Sequence, residues 1–166
     1  MEKLVLDTSA FIQGVIPSDG VRYYTPPSVK EEIKNDLNRI RYENLRRMGT
    51  LEEVSPHERY LRKVAEVSME MGEETLSITD IDILALGLQL RASGEEVKLV
   101  SDDYSVQNIA DRLGLKCISL ATPGIKKQLT WTIYCPGCKR SFDISPRGGI
   151  CPICGTELKR KPHRDS

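Results

Sequence analysis

The run Lys3-Leu4-Val5-Leu6-Asp7 sets the pattern that decides the fold. A short apolar run of this kind predicts a strand that is buried on both faces of a sheet. The same pattern, an apolar run followed closely by acids, returns at residues 97–103. Further strands are predicted at Val21–Thr25, Leu51–Val54 and Lys116–Leu120.

Helical patterns separate the predicted strands. Apolar residues recur at helical spacing between Ser28 and Gly49, which predicts one helix with Ser28 as its N-cap. The sequence Ser55-Pro56-His57-Glu58 predicts the start of a second helix, with Ser55 as its cap. Two more helices are predicted, an apolar one over Thr79–Leu90 and a short one over Ser105–Gly114. Strands that alternate with helices predict an α/β fold with a parallel sheet.

Four of the five cysteines form two Cys-x-x-Cys pairs separated by twelve residues: Cys135, Cys138, Cys151 and Cys154. Each pair points two thiolates at one ion, and four thiolates make the tetrahedral site that structural Zn²⁺ takes. Iron in the same site is the alternative. Four ligands leave no open position, so this metal is expected to be structural. Phe142 and Ile144 alternate with polar neighbours, and with the turn signal Gly148-Gly149 they predict a small β zinc ribbon built on a hairpin.

A change of pattern divides the chain into units of different charge. We expect an α/β domain over residues 1–122, a linker over 123–130, the ribbon over 131–160 and a tail over 161–166. Residues 1–130 carry 17 basic and 21 acidic side chains, whereas residues 131–166 carry 7 basic and 3 acidic ones. The basic ribbon favours contact with nucleic-acid phosphates, and the alternative is that its charges are only solvated. The basic residues concerned are Arg140, Arg147 and Lys159-Arg160-Lys161.

Composition excludes several classes of protein. Aromatic residues are only 5% of the chain, which argues against a broad base-stacking platform. No apolar run reaches the roughly 18 residues of a membrane span. The early Asp7 interrupts any secretory signal pattern, and an odd number of cysteines argues against a disulfide framework. We therefore expect a cytoplasmic protein with no membrane partner.

Cys117 is expected in the core, and Trp131 is expected to pack the two domains together, with base stacking as the alternative for Trp131.

Acidic residues stand where the parallel strands of the predicted sheet end. Ligand sites of open parallel sheets form beyond the carboxyl ends of the strands. Clustered carboxylates repel one another unless a cation joins them, and all-oxygen sites suit Mg²⁺ or Mn²⁺. The candidates are Asp7, Glu31, Glu32, Asp80, Asp82, Asp102 and Asp103. The alternative is that acids in the first turn of a helix serve only the helix dipole.

Helix capping separates some of these candidates. In Ser28-x-x-Glu31 the acid completes a capping box, which leaves Glu32 for a metal. In Thr79-x-x-Asp82 the same reasoning leaves Asp80. Asp7 is expected to cap no helix, because it directly follows a strand.

Four blocks of the sequence resemble, in content and order, the motifs of the PIN-domain ribonucleases: Leu4–Phe11, Thr25–Ile33, Thr79–Leu86 and Leu99–Tyr104. A PIN domain followed by a four-cysteine ribbon is similar to the Nob-type endoribonucleases. The segments Leu76–Asp80 and Asp103–Asn108 also resemble blocks of that family. The resemblance covers nearly the whole chain and implies a PIN-like fold.

The resemblance also implies an activity. It assigns the catalytic acids to Asp7, Glu32, Asp80 and Asp103, which would hold Mn²⁺ or Mg²⁺. Asp82 and Asp102 are additional acids that could support or replace these ligands. The expected reaction is hydrolytic, metal-dependent cleavage of precursor small-subunit ribosomal RNA at its 3′ end, leaving a 5′-phosphate and a 3′-hydroxyl. The expected partners are the RNA, the pre-ribosomal particle and ribosome assembly factors.

Two other functions and several supporting residues stay open at this point. The chain could be a toxin-type PIN ribonuclease that acts on tRNA or mRNA, or a non-catalytic RNA-binding assembly factor. Thr8, Ser9 and Ser101 could hydrogen-bond the acids, or could only form turns. Four arginines of the helix predicted between Ser28 and Gly49 could hold RNA or form a solvated face: Arg39, Arg41, Arg46 and Arg47.

Overall fold

The computed structural model describes residues 1–120 and 130–162. Its larger sheet has five parallel strands in the order β3-β2-β1-β4-β5. The strands are β1 (Glu2–Leu6), β2 (Val21–Thr25), β3 (Leu51–Glu53), β4 (Val97–Val100) and β5 (Lys116–Ile118). This arrangement confirms the parallel α/β fold. It also makes β1 and β4 neighbours at the centre of the sheet, with Leu6 paired to Val100.

Within residues 1–120, six helices flank this sheet: α1 (Thr8–Gln13), α2 (Pro27–Glu32), α3 (Asp36–Arg47), α4 (Glu58–Glu70), α5 (Ile78–Ala92) and α6 (Tyr104–Arg112). The apolar α5 is the most deeply buried of them and contacts β1 and β4. Gly87 of α5 makes that approach possible, because a Cβ at this position would lie only 2.7 Å from Leu99 Cδ2. The close packing of α5 on β4 places the start of α5 near the strand ends.

The single helix predicted between Ser28 and Gly49 is wrong, since the chain forms α2 and α3 there. Ile33 has extended backbone angles that end α2, and Asn35 caps α3 by accepting from the amides of Leu37 and Asn38. The apolar spacing continues through the break, so the helical period did not reveal it. Ser28 is not a cap either, because α2 is preceded by Pro26 without a side-chain cap.

Two other predicted helix starts also differ from the structure. The second predicted helix is α4, which begins at Glu58 with His57 as its N-cap instead of Ser55. The side chain of His57 accepts from the amide of Arg59 at 3.4 Å. The apolar helix α5 begins at Ile78 with Ser77 as its cap, and not at Thr79. Helix α1, which directly follows Asp7, was not predicted at all.

The smaller sheet contains three antiparallel strands in the order β7-β6-β8. The strands are β6 (Trp131–Tyr134), β7 (Ser141–Phe142) and β8 (Lys159–Pro162). The predicted hairpin around Gly148-Gly149 is wrong in its pairing, because Phe142 pairs with Ile133 of β6 and residues 147–149 form a 3₁₀ turn.

The predicted domain limits stay predictions, and the predicted end of the first domain at residue 122 lies outside the described residues. Strand β8 takes in Lys161 and Pro162, which the sequence analysis assigned to the tail. Of the predicted linker over 123–130, residues 123–129 lie outside the described residues, as do residues 163–166 of the tail. Cys117 lies in β5 and packs against the core, as expected. Among the described residues, the structure has no helix long and apolar enough to span a membrane.

Candidate active site and metal centre

The ends of β1 and β4 bring Asp7 and Ser101 into direct contact. The amide of Asp7 donates to the carbonyl oxygen of Val100 at 3.1 Å and so extends the pairing of the two strands by one residue. Beyond that point Ser101 Oγ donates to Asp7 Oδ2 at 2.6 Å. Asp7 is only 7% exposed, and Ser101 is fully buried at 1%. The strand ends therefore fix one buried carboxylate at the rim of the sheet.

Asp7 also caps α1, contrary to the expectation that it caps no helix. Its Oδ1 accepts from the amide of Thr8 at 2.6 Å. Thr8 Oγ1 in turn donates to Glu32 Oε2 at 2.8 Å. Glu32 is the last residue of α2, and its side chain is exposed. Thr8 thus holds Glu32 beside Asp7.

Asp80, and not Asp82 as predicted, is the acid that caps α5. Asp80 completes the capping box of α5: its Oδ2 accepts from the amide of Ser77 at 2.8 Å, and its own amide donates to Ser77 Oγ at 3.1 Å. Asp82 Oδ2 instead accepts from Ser28 Oγ at 2.6 Å. The prediction that Asp80 is the acid without a capping task is therefore wrong, as is the capping box of Ser28 and Glu31.

Asp102 and Asp103 point to different neighbours. Asp103 caps α6, with Oδ1 accepting from the amide of Ser105 at 2.7 Å, and its own amide donates to Ser101 Oγ at 3.2 Å. Asp102 Oδ1 accepts from Ser119 Oγ and from the amide of Leu120, at the end of β5. Asp103 is thereby linked to Asp7 through one serine, whereas Asp102 ties the edge strand to the β4 end.

The four predicted acids influence one another electrostatically. The pKa of Asp7 is raised to about 6, first by burial and then by the charges of Asp80 and Glu32, against hydrogen bonds from Ser101 and Thr8 that lower it. The pKa of Asp80 is raised by burial first, and then by the charges of Asp103 and Glu32. Carboxylates that repel one another in this way fit a divalent cation, since a shared cation removes the repulsion.

The four paired cysteines form a second, separate site. Their Sγ atoms all lie within 4.8 Å of one another, and the Cys135–Cys154 and Cys138–Cys151 sulfur distances are 3.3 and 3.7 Å. Tetrahedral Zn²⁺ with 2.3 Å bonds requires sulfur separations of about 3.8 Å. The four thiols therefore fit a tetrahedral ion such as zinc.

The two cysteine pairs have matching backbone turns. Lys139 and Gly155, each four residues after the first cysteine of a pair, have φ values of 64° and 75°. Their amides donate to the carbonyl oxygens of Cys135 and Cys151 at 3.0 and 2.9 Å. Lys139 is the one described residue other than glycine with positive φ. The turn that aims the first two thiols holds this strained backbone conformation.

Two of the arginines expected to contact RNA have structural partners. Arg41 Nη1 donates to the carbonyl oxygens of Phe11 and Ile12, both at 2.9 Å, where α1 ends. Arg160 Nη1 donates to Glu73 Oε1 at 2.9 Å. Glu73, which sequence reasoning missed, is 1% exposed and carries no local motif that would have revealed it.

Trp131 packs the two sheets together, as expected. Its Nε1 donates to Glu73 Oε2 at 2.5 Å, and its amide donates to the carbonyl oxygen of Met71 at 2.7 Å. A Cβ at Gly72 would meet Trp131 O at 2.6 Å, and Gly72 has a φ of +67°. The segment between α4 and α5 is therefore shaped to receive the ribbon.

Comparison with known proteins identifies the family. The family described as "PIN domain of ribonuclease" matches residues 4–90. "Endoribonuclease Nob1" of Pyrococcus abyssi is 44% identical over 163 residues, which is 98% of this chain and 95% of that protein. "Ribonuclease VapC1" of Thermoplasma acidophilum is 37% identical over 157 residues, 94% of this chain and 76% of that protein.

A yeast relative extends the comparison to eukaryotes. The "20S-pre-rRNA D-site endonuclease NOB1" of Saccharomyces cerevisiae is 34% identical over 110 residues, covering 65% of this chain and 23% of that protein. Nob1 endoribonucleases of two methanogens, Methanothermobacter thermautotrophicus and Methanocaldococcus jannaschii, match 98% and 97% of this chain at 35% and 39% identity. Likeness over nearly the full length, on a PIN fold that ends in a four-cysteine ribbon, shows that the chain belongs to the Nob1 endoribonucleases of the PIN-domain family.

Proposed function

We propose that this endoribonuclease cleaves precursor small-subunit ribosomal RNA at its 3′ end, with Asp7, Glu32, Asp80 and Asp103 as the acids that hold Mn²⁺ or Mg²⁺. The observation that supports the catalytic part is the hydrogen bonding at the ends of β1 and β4, where Ser101 joins Asp7 to Asp103 and Thr8 joins Asp7 to Glu32. The charges of Glu32 and Asp80 also act on Asp7. The name of the yeast relative supports the substrate. A nuclease domain over residues 1–122 and a ribbon that begins at residue 131 complete the proposal.

The chain's own residues orient the acids before substrate binds. Ser101, Thr8 and Ser77 each hold one oxygen of Asp7, Glu32 and Asp80, respectively. Fixed carboxylates of this kind need little rearrangement when charge develops on the scissile phosphate. A divalent ion held by these acids would supply an activated water and would neutralise charge on the phosphate oxygens.

The ribbon contributes stability and positive charge. We propose zinc as its ion, because four thiolates in a closed tetrahedral set are the structural zinc site. A unit this small gains much of its folding free energy from the metal. With Arg160 engaged by Glu73, the remaining basic residues proposed for phosphate contact are Arg140, Arg147, Lys159 and Lys161, all exposed.

We further propose the setting in which the enzyme acts. A substrate that is part of an assembling particle makes the pre-ribosomal particle and its assembly factors the partners. The four-thiolate site and the separate Cys117 favour a reducing compartment, and we therefore propose the cytoplasm.

A cleavage assay tests the proposed function. The substrate is a short RNA that spans the small-subunit 3′ end and its trailer, incubated with Mn²⁺ or with chelator. The compared proteins are wild type, Asp7→Asn and the matched control Asp82→Asn, whose carboxylate accepts from Ser28. We expect one metal-dependent cut at the mature end, lost in Asp7→Asn and kept in Asp82→Asn.

Other outcomes of this assay overturn defined parts of the proposal. Preferred cutting of tRNA or mRNA substrates would favour a toxin-type ribonuclease, the alternative that the similarity to VapC1 supports. Tight binding without cutting under any metal would make the chain a non-catalytic assembly factor. Equal loss of activity in both variants would show that Asp7 has no special place among the acids.

A further inference from the structure

A buried carboxylate lies at the junction between the two sheets. Glu73, in the segment between α4 and α5, is 1% exposed. Two residues of the ribbon supply its partners: Trp131 Nε1 donates to Oε2 at 2.5 Å, and Arg160 Nη1 donates to Oε1 at 2.9 Å. A buried charge is costly unless it is paired and hydrogen-bonded, so the environment of Glu73 depends on the ribbon being in place.

The same carboxylate contacts the helix that carries Asp103. Ser105 Oγ donates to Glu73 Oε1 at 3.0 Å, and the amide of Ser105 donates to Asp103 Oδ1 at 2.7 Å. The amide of Asp103 donates to Ser101 Oγ, which itself donates to Asp7 Oδ2. An unbroken series of hydrogen bonds therefore runs from β6 and β8 of the ribbon to the acids at the rim of the large sheet.

We propose that Glu73 is a positioning residue through which the seating of the ribbon sets the orientation of the Asp103 carboxylate. This inference rests on the proposed role of Asp103 as a metal-holding acid. When the ribbon is seated, Arg160 and Trp131 fix both oxygens of Glu73, and Glu73 fixes Ser105 in the first turn of α6. When the ribbon is displaced, Glu73 loses its charged partner and its indole donor and turns towards water, so that Ser105 loses its side-chain partner.

The ribbon does not depend on Glu73 alone for its position. The amide of Trp131 donates to the carbonyl oxygen of Met71, and the backbone of Trp131 lies directly against Gly72. Ser105 belongs to α6 and contacts the ribbon only through Glu73 among the hydrogen bonds of the described residues. A change at Ser105 can therefore interrupt the series without displacing the ribbon, which separates positioning from packing.

Thr75 offers a matched control for Ser105. Its Oγ1 donates to the same oxygen of Glu73 at 3.4 Å, and it accepts from Arg160 Nη2 at 3.3 Å. Ser105→Ala and Thr75→Ala each remove one hydroxyl donor from Glu73, but only Ser105 lies on the helix that Asp103 caps.

The first experiment measures Mn²⁺ affinity by calorimetry without RNA, and single-turnover cleavage with RNA. We expect Ser105→Ala to weaken Mn²⁺ binding roughly tenfold, the low end for residues that orient a ligand, and to lower the cleavage rate with little change in RNA affinity. Thr75→Ala should stay within about twofold on the same scale. The indole N–H NMR signal of Trp131, the one tryptophan of the chain, should be unchanged in both variants. Equal Mn²⁺ affinities in the two variants would overturn the proposal.

The second experiment compares Arg160→Ala with Lys161→Ala, which remove the same charge from neighbouring positions of β8. Arg160 lies over the Trp131 ring at 4.5 Å and pairs with Glu73, whereas Lys161 lies over Tyr134 at 5.0 Å. We expect only Arg160→Ala to weaken Mn²⁺ binding in the absence of RNA. Equal effects would show a general effect of charge, and an effect confined to RNA binding would assign Arg160 to the substrate; either result overturns the proposal.

Asp103→Asn, measured in the same calorimetry, tests the proposed acid site separately from the positioning role of Glu73. If Asp103→Asn weakens Mn²⁺ binding and Ser105→Ala does not, the acid site stands and the role of Glu73 fails. If Asp103→Asn binds Mn²⁺ as wild type does, the proposed acid set itself is wrong, and the positioning role falls with it.

Discussion

Ser101 donates a hydrogen bond from its hydroxyl to Asp7 Oδ2 at 2.6 Å, across the ends of the central strands β1 and β4. The Ser101 hydroxyl oxygen in turn accepts from the amide of Asp103 at 3.2 Å. One buried hydroxyl therefore orients the acids that end both strands. Asp7 and Ser101 lie side by side because each directly follows one member of the paired residues Leu6 and Val100.

Replacing Ser101 by alanine should shift the pH dependence of cleavage. Burial raises the pKa of Asp7 to about 6 even though the hydrogen bond from Ser101 lowers it. Without that bond the pKa of Asp7 rises further, so the acid limb of the cleavage–pH profile should move to higher pH. The measurement is the single-turnover rate between pH 5 and pH 8 at a fixed Mn²⁺ concentration below saturation, where protonation of Asp7 competes with the metal. Ser119→Ala, which removes the hydroxyl group that donates to Asp102, should leave the acid limb in place. The same shift of the acid limb in both variants would contradict the prediction.

Asp7→Asn should stabilise the metal-free protein at neutral pH. The folded-state pKa of about 6 lies above the ordinary value of 3.8, so folding favours the protonated carboxyl. The stability that this group contributes is fully present below about pH 4 and is lost as the pH rises through 6. The variant should therefore exceed wild type by on the order of 2 kcal/mol at pH 7.5, with a much smaller difference at pH 4.5. Urea denaturation in chelator at both pH values measures this.

Added Mn²⁺ should reverse that order of stabilities. A ligand that binds only the folded state stabilises it, and wild type keeps all four acids, whereas Asp7→Asn lacks one. Wild type should therefore gain more stability than Asp7→Asn. A difference between the two proteins that is independent of both pH and Mn²⁺ would show that Asp7 is not a titrating metal-holding acid.

Removal of the ribbon metal should unfold the ribbon and leave the large sheet folded. The purified protein should contain one zinc ion, and Cys151→Ser should lose it, because the remaining three thiols no longer close the tetrahedral set. The indole fluorescence of Trp131, which is held between the ribbon and Glu73, should shift to longer wavelength. Cys117→Ser is the matched control and should keep the metal, since Cys117 lies in β5. Iron in the purified protein would change the identity of the ion, and the ribbon would still be expected to unfold without it.

Arg41→Ala should cost stability, whereas Arg47→Ala should not. Arg41 Nη1 donates to two carbonyl oxygens at the end of α1, and these would lose their partner. Loss of charge-assisted hydrogen bonds of this kind costs about 1.5–3 kcal/mol. Arg47 is exposed in the last turn of α3. Thermal unfolding of both variants tests this, and equal melting temperatures would mean that the contact of Arg41 adds nothing to stability.

The sequence revealed the elements that have strong local signals. Apolar runs at Leu4–Leu6 and Val97–Val100 predicted the central strands, and two Cys-x-x-Cys pairs predicted the closed thiol site. Helix starts were predicted less well, because several residues of capping type stand close together. At α5, Ser77 and Thr79 both precede an acid by three residues, and only the packed helix chooses Ser77.

The four acids proposed as metal ligands came from the sequence, but part of the reasoning behind them was wrong. Asp80 was chosen as the acid without a capping task, and it is the capping acid. Asp82 was set aside as a cap, and it pairs with Ser28, 54 residues away in the chain. A contact across that sequence separation leaves no local pattern to read.

The sequence alone determined the order of the strands in the chain, the thiol set and the acids near strand ends, because each depends on residues close together in the chain. The tertiary structure decided which acids share one electrostatic environment, which arginines are engaged and where the ribbon sits. Glu73 illustrates the difference. In the sequence it is one acid among 24. Only the packed chain buries it and brings Trp131, Arg160 and Ser105 to its two oxygens, since its partners lie 32 to 87 residues away.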